Sequence, residues 1–177
     1  MSDLNITADH ITDVSLPSCS MLLETVFLYA NLTSVYLPAV QSTEYSAFKY
    51  CFSLTSVDLP VCTFLSASTF ARCTSLVSVS IPLCEQVRRG AFFTCESLES
   101  ITLPVCSNIS QTAFQDCITL NTITLGSNAV TYLQDSNAFQ GTGITESTGS
   151  IYVPTSLLSD YQVADNWSYF ATQIIGI

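Results

Sequence analysis

Positive charge is scarce in this chain. Four Lys and Arg stand against 14 Asp and Glu, for a net charge of −10 in 177 residues. Binding nucleic acid through its phosphates needs a cationic face, so the composition argues against that partner. Glycine is scarce too, with 6 residues, and no Gly-rich phosphate loop can be written. The one histidine, His10, lies near the start, and no Ser/His/Asp set assembles around it. Carboxylates such as Asp58, Glu99 and Asp116 are scattered over polar positions. No run of apolar residues approaches the ~18 that a membrane span requires. The opening Met1-Ser2-Asp3-Leu4 lacks the basic region and apolar stretch of a signal peptide, so a cytoplasmic location is compatible with the sequence. C-x-x-C pairs are absent, and zinc sites want ligands about two to four residues apart. The expectation is a chain without catalysis, metal or cofactor.

Cysteine, by contrast, is abundant and regular. Cys51, Cys62, Cys73, Cys84, Cys95, Cys106 and Cys117 follow one another at intervals of eleven, giving two interleaved columns of period 22. A fixed period of that size marks a solenoid, one coil per repeat. Leu-Pro or Ile-Pro steps at Leu16, Leu37, Leu59, Ile81 and Leu103, then Leu125-Gly126, set the register. Two residues before each comes Val14, Val35, Val57, Val79, Ile101 or Ile123, and three residues earlier Ile11, Leu32, Leu54, Leu76, Leu98 or Leu120. V-x-L alternates as a short half-buried strand does, and Pro ends it because it cannot donate to a ladder. Ser34, Ser56, Ser78, Ser100 and Thr122 precede the β-branched residues and are expected on an exposed sheet face.

Past each strand the columns continue. Cys19, Cys62, Cys84 and Cys106 form the first cysteine column, with Val40 in the same place. Leu22, Leu65, Val87 and Ile109 form an aliphatic one, with Thr43 as the exception. Phe48, Phe70, Phe92 and Phe114 form an aromatic one that Phe139 restarts. Three residues past each regular Phe lies the second cysteine column; in the first copy this register gives Val26 the aromatic place and Tyr29 the cysteine place. Stacked coils put like on like at ~4.8 Å. An even cysteine count in a small secreted chain would read as a disulfide framework. Here the Cβ vectors of adjacent coils run parallel, which holds Cβ atoms farther apart than the ~3.5–4.5 Å of a bridge. Reduced thiol ladders packed as small hydrophobes are expected instead.

Behind the coils, Ile151-Tyr152-Val153 reads as a last strand ended by Pro154. Thr155 or Ser156 is placed to cap a helix running to about Ala164, with Leu157, Tyr161 and Ala164 on one face. Trp167, Phe170, Ile174 and Ile175 are expected to close the core. The opposite end has no such device. Leu4 and Ile6 look like a partial coil, and an open edge invites pairing with an upstream domain, a second copy of the chain or a partner.

The run C-x-x-L-x-x-V-x-L-P-x-C-x-x-V-x-x-x-A-F-x-x-C resembles the leucine-rich repeats of the BspA type, and it lacks the asparagine segment of ribonuclease-inhibitor-like repeats. The tail, with Ala138-Phe139, Ile151 to Pro154, Tyr161 and Asn166-Trp167, is similar to the closing segment of such proteins in gut bacteria and their phages. The resemblance implies a leucine-rich-repeat solenoid of about six repeats over residues 4–140, with short parallel strands and helical turns, and a C-terminal helical capping segment over 141–177. It also implies a non-enzymatic interaction or adhesion module for a protein or cell-surface ligand, on a cell surface or a virion. Two alternatives stand beside it: a structural or decoration domain of a virion joined through its N-terminal edge, and an intracellular effector that inhibits a host protein.

Within that frame, aromatics occupy slots that are polar in other copies: Tyr36, Tyr45, Tyr50, Phe64 and Phe93. The chain's four cations, Lys49, Arg72, Arg88 and Arg89, fall in the same middle coils. Exposed aromatics beside arginine are enriched in binding hot spots. Tyr36 is expected on the sheet face beside Asp58, and the other four aromatics on loops near the cations. These nine residues are the candidate site, a patch for an acidic partner or anionic glycan. Drift in tolerant loops is the competing reading.

Overall fold

A computed structural model of the chain describes residues 12–177. His10, the partial coil at Leu4 and Ile6, and Ile11 lie outside the described residues. The strands are β1 (Asp13–Ser15), β2 (Ser34–Tyr36), β3 (Ser56–Asp58), β4 (Phe64–Leu65), β5 (Ser78–Ser80), β6 (Gln86–Val87), β7 (Ser100–Leu103), β8 (Asn108–Ile109), β9 (Thr122–Leu125), β10 (Tyr132–Leu133), β11 (Ser150–Val153) and β12 (Ile174–Gly176). One short helix, α1 (Leu158–Val163), lies near the C-terminus.

The strands form three parallel sheets, β1-β2-β3-β5, β4-β6-β8-β10 and β7-β9-β11-β12. Their registers are the columns read from the sequence. Val14, Val35, Val57 and Val79 pair in series, as do Ile101, Ile123, Ile151 and Ile174. On the second face Leu65, Val87, Ile109 and Leu133 pair in series. Like sits on like, and the interior of the wound rod is one continuous apolar column. The first face is interrupted once. Among the described residues no strand pairing joins β5 to β7, although they hold the same place in successive coils. Val79 is accordingly only half-buried where Val57 and Ile101 are buried. The second face and the aromatic turn run through this point, with Phe92 N–H donating to Ala113 O at 2.8 Å.

The aromatic column is a stack. Phe27, Phe48, Phe70, Phe92, Phe114 and Phe139 follow one another at ring-centre separations of 5.1, 5.3, 5.5, 5.2 and 5.7 Å, each nearly parallel to the next. Phe27, rather than Val26, starts it, and buried Ala30, rather than Tyr29, holds the first cysteine place. The first coil is one residue shorter, as the 21-residue step from Leu16 to Leu37 already shows.

Each aromatic turn carries a backbone signature. The residue two before the Phe is left-handed in five coils: Thr25, Ser46, Ser68, Gly90 and Thr112, with φ between 54° and 60°. So is the residue two after it: Tyr29, Tyr50, Arg72, Thr94, Asp116 and Gly141, with φ between 59° and 73°. Five of these later residues donate their N–H to the next coil, as Arg72 does to Phe93 O at 2.7 Å and Asp116 to Gln140 O at 2.8 Å. An N–H left unpaired at a buried turn is costly, and the stacking ladder offsets the strain of a left-handed side-chain-bearing residue.

The thiols fill the axis and are hydrogen-bonded there. Cys51, Cys73, Cys95 and Cys117 donate to the carbonyls of Phe27, Phe48, Phe70 and Phe92 in the preceding coil at 3.0 to 3.2 Å. Cys62, Cys84 and Cys106 each donate to the carbonyl two residues on, at 3.4 Å. Burial pushes the Cys84 thiol up from 9.0 to about 12, helped by its neighbours Cys106 and Cys62. Burial likewise pushes Cys106 up to about 11. Seven thiols are buried and only Cys19 is partly exposed. Alkylation of the native protein at about pH 8 is therefore expected to label Cys19 alone, with the other seven added on denaturation. A thiol whose folded pKa is raised adds stability below its unfolded pKa and loses it as pH rises through the folded value. Unfolding should accordingly become easier between pH 9.0 and about 12. Labelling of several native thiols would contradict this packing.

At the C-terminal end β11 and β12 extend the sheet, and Tyr161, Trp167, Phe170 and Ile174 bury themselves behind the last coil. Ile175 does not join them. It alternates outward from Ile174 along β12 and is exposed. No side chain caps α1, and the chain enters it through a 3₁₀ turn, Thr155–Leu157. Thr155 Oγ1 instead donates to Ile177 O at 3.0 Å, fastening β12 rather than the helix.

Candidate functional site

Three of the four cations sit over aromatic rings. Lys49 Nζ lies 5.0 Å from the Tyr50 ring centre. The Arg72 guanidinium lies 6.0 Å from Tyr50 and 5.7 Å from Phe93, bridging two coils. Arg88 lies 5.1 Å from Phe64. Tyr50 also stacks on Tyr29 at 4.5 Å with 4° between planes, and Phe52 tilts against it at 5.8 Å. Among the described residues none of the cations forms a salt bridge with a carboxylate.

The fold explains why these groups meet. Tyr29, Tyr50 and Arg72 occupy the left-handed slot after the aromatic turn in three successive coils, with φ of 61°, 64° and 64°. Their N–H groups point along the stack to Lys49 O, Ala71 O and Phe93 O. With the backbone committed in this way, their side chains form a ridge beside the turn. Each cation there keeps its full charge for a ligand, because its ring partner brings none.

The nine sequence candidates divide. Lys49, Tyr50, Arg72 and Phe93 form one connected group, and Arg88 with Phe64 forms a second. Phe64 is not on a loop. It lies in β4, paired with Gln86, and Arg88 reaches it from the following coil. Tyr36 faces outward on β2 opposite Asp58, on the other sheet. Tyr45 is exposed, and among the described residues no cation lies over its ring. Arg89 is exposed and without a ring partner among the described residues. Sequence reasoning missed Tyr29 and Phe52. The signal for Tyr29 was the short first coil, which shifts it from the cysteine place into the ridge.

Among the described residues no cluster of three His, Cys, Asp or Glu could hold a metal. No described helix is long and apolar enough to cross a membrane.

The family described as BspA type leucine rich repeat region (6 copies) matches residues 7–105 and 41–157. The chain belongs to the BspA-type leucine-rich-repeat family. Solved structures of bacterial repeat proteins share the winding. A leucine-rich-repeat protein from Bacteroides ovatus is 22% identical over 94% of this chain and 42% of its own, with a TM-score of 0.68. A leucine rich cell surface protein from Faecalibacterium prausnitzii is 23% identical over 88% of this chain and 46% of its own, with a TM-score of 0.64. The leucine rich repeat protein of T. pallidum is 24% identical over 70% of this chain and 60% of its own, with a TM-score of 0.59. This BspA-type chain thus spans about half the length of the solved relatives it matches. It has no significant match among curated sequences.

Proposed function

We propose that this BspA-type chain is a non-enzymatic interaction module whose ridge, Lys49, Tyr50, Arg72 and Phe93, together with the separate pair Arg88 and Phe64, docks an acidic ligand on a partner protein or cell surface. One observation carries the reading. In a chain of net charge −10, the cations lie in the middle coils, and three of them are held over rings rather than over carboxylates. A lone cationic ridge on an anionic body steers an acidic partner to one place and repels it elsewhere. The rings add desolvated contact area of the kind found at hot spots. A cell-surface setting accords with the Faecalibacterium relative, which is described as a cell surface protein.

The test is retention on a panel of immobilised acidic peptides and anionic glycans at physiological salt. The Tyr50→Ala/Arg88→Ala double variant is expected to lose at least about tenfold in affinity, or ~1.4 kcal/mol. Arg72→Gly separates binding from folding. It relieves a left-handed side-chain-bearing residue, whose strain is ~1–2 kcal/mol, so it should fold at least as stably while binding more weakly. Unchanged retention by both variants would remove the ridge from the reading.

A second role rests on the opposite observation. Met21, Leu23 and Tyr29, in the first described coil, are well exposed. That apolar edge supports a joint to another domain or a second copy, as a decoration or assembly protein would use.

A further inference from the structure

Where residues 136–147 meet the C-terminal segment lies an open cleft of about 380 Å³. Among the described residues neither a carboxylate nor a cation lines it. Its polar lining comes from the carboxamides of Asn137, Gln140 and Gln173 and from hydroxyls, and Ile144, Phe170 and the ring of Tyr169 supply its apolar part. We propose that this cleft binds a neutral sugar unit, with Tyr169 as the stacking platform and the three carboxamides as partners of its hydroxyls.

The chemistry of the lining selects the class. A carboxamide offers a donor and an acceptor side by side, which matches a hydroxyl pair that both gives and takes hydrogen bonds. A charged ligand would find no counter-charge here, and a wholly apolar one would strand the amides. The electron-rich face of an aromatic ring attracts the weakly positive C–H face of a pyranose. The volume falls at the small end of the ~300–1,000 Å³ of small-molecule sites, which suits one or two sugar rings.

Three of the groups, Tyr169, Gln173 and Asn137, are also held in place before any ligand arrives. Tyr169 is 74% exposed, yet it sits in a 3₁₀ turn, Trp167–Phe170, whose other two aromatics are buried in the core. The ring is thus mounted on a fixed base. Gln173 Nε2 donates to Ser147 Oγ at 2.9 Å, and its Oε1 accepts from Thr172 Oγ1 at 3.0 Å. Asn137 Oδ1 accepts from Thr112 N–H at 3.3 Å, which leaves its amide N–H groups for a ligand. Ser147, on the rim, is held left-handed at φ 62°. Preorganised polar groups beside an exposed ring lower the ordering cost that weakens most sugar binding. The cleft shares no residue with the ridge, so the two readings stand or fall separately.

The experiment titrates the isotopically labelled full chain with methyl glucoside, methyl galactoside, N-acetylglucosamine and their short oligomers, up to about 50 mM, where a millimolar Kd already saturates. At least one neutral sugar should shift the side-chain amide signals of Asn137, Gln140 and Gln173 saturably. Tyr169→Ala should weaken that binding at least about tenfold and Gln140→Ala by about threefold. Both residues are exposed, so both variants fold. Tyr50→Ala/Arg88→Ala should leave sugar binding unchanged. The proposal is overturned if no neutral sugar shifts these amides, if the shifts map elsewhere, or if Tyr169→Ala binds as well as the parent chain.

Discussion

Phe92→Ala should lower the free energy of unfolding by about 3–5 kcal/mol. The ring is fully buried between Phe70 at 5.5 Å and Phe114 at 5.2 Å. Its neighbours cannot slide in to fill the void. Phe70 N–H is tied to Ala91 O, and Phe92 N–H to Ala113 O, both at 2.8 Å, so coil spacing is fixed by backbone. A domain of this size has only ~5–15 kcal/mol in total, so the variant approaches the threshold of folding. In urea its midpoint should fall sharply, and native-state hydrogen exchange should lose protection first in the coils on either side. Phe92→Leu keeps most of the volume and should cost about 1–1.5 kcal/mol. A loss below about 1 kcal/mol for Phe92→Ala would show that the stack is not what holds the coils together.

Trp167→Ala is expected to cost a similar ~3–5 kcal/mol, but at one end. Trp167 closes the stack, tilted 40° on Phe139 at 5.8 Å and edge-on to Tyr161 at 5.3 Å. Its Nε1–H donates to Thr131 O at 2.6 Å. Thr131 is the hub of a buried chain of bonds. Its N–H donates to Tyr161 Oη at 2.9 Å, Tyr161 O–H donates to Thr131 Oγ1 at 3.0 Å, and Thr131 Oγ1 donates to Cys106 O at 2.8 Å. Losing the indole leaves the Thr131 carbonyl unpaired as well as opening a cavity. Trp167→Phe isolates the polar part, with a loss of ~1–3 kcal/mol. Exchange protection should collapse around Thr131 and Phe139 while the coils near Phe48 keep theirs. Uniform loss along the whole rod would mean that the coils unfold as one unit, contrary to nearest-neighbour coupling.

The winding was legible because a solenoid repeats its core residue types at the period of its backbone. Val57 pairs with Val79 and Phe70 stacks on Phe92 for the same reason that each pair is 22 apart. Legibility failed where that bond between type and place loosens. Tyr29 was misplaced because one coil is a residue short. The left-handed slots were invisible because no residue type unites them; only Gly90 and Gly141 advertise positive φ. Arg88 over Phe64 crosses between coils at a spacing of 24, which no column predicts. Hydrophobicity alone places Ile175 inward, and the alternation of the strand turns it out. The cleft at Tyr169 is built where the repeat has ended, so periodicity has nothing to say about it.

The slot that follows each aromatic turn has a further implication. One backbone geometry there accepts tyrosine, arginine, threonine, aspartate and glycine in turn. Shape and surface chemistry are therefore written in separate alphabets along this molecule. A lineage can exchange the outer letters coil by coil, and so move to a new ligand, without disturbing a single interior contact.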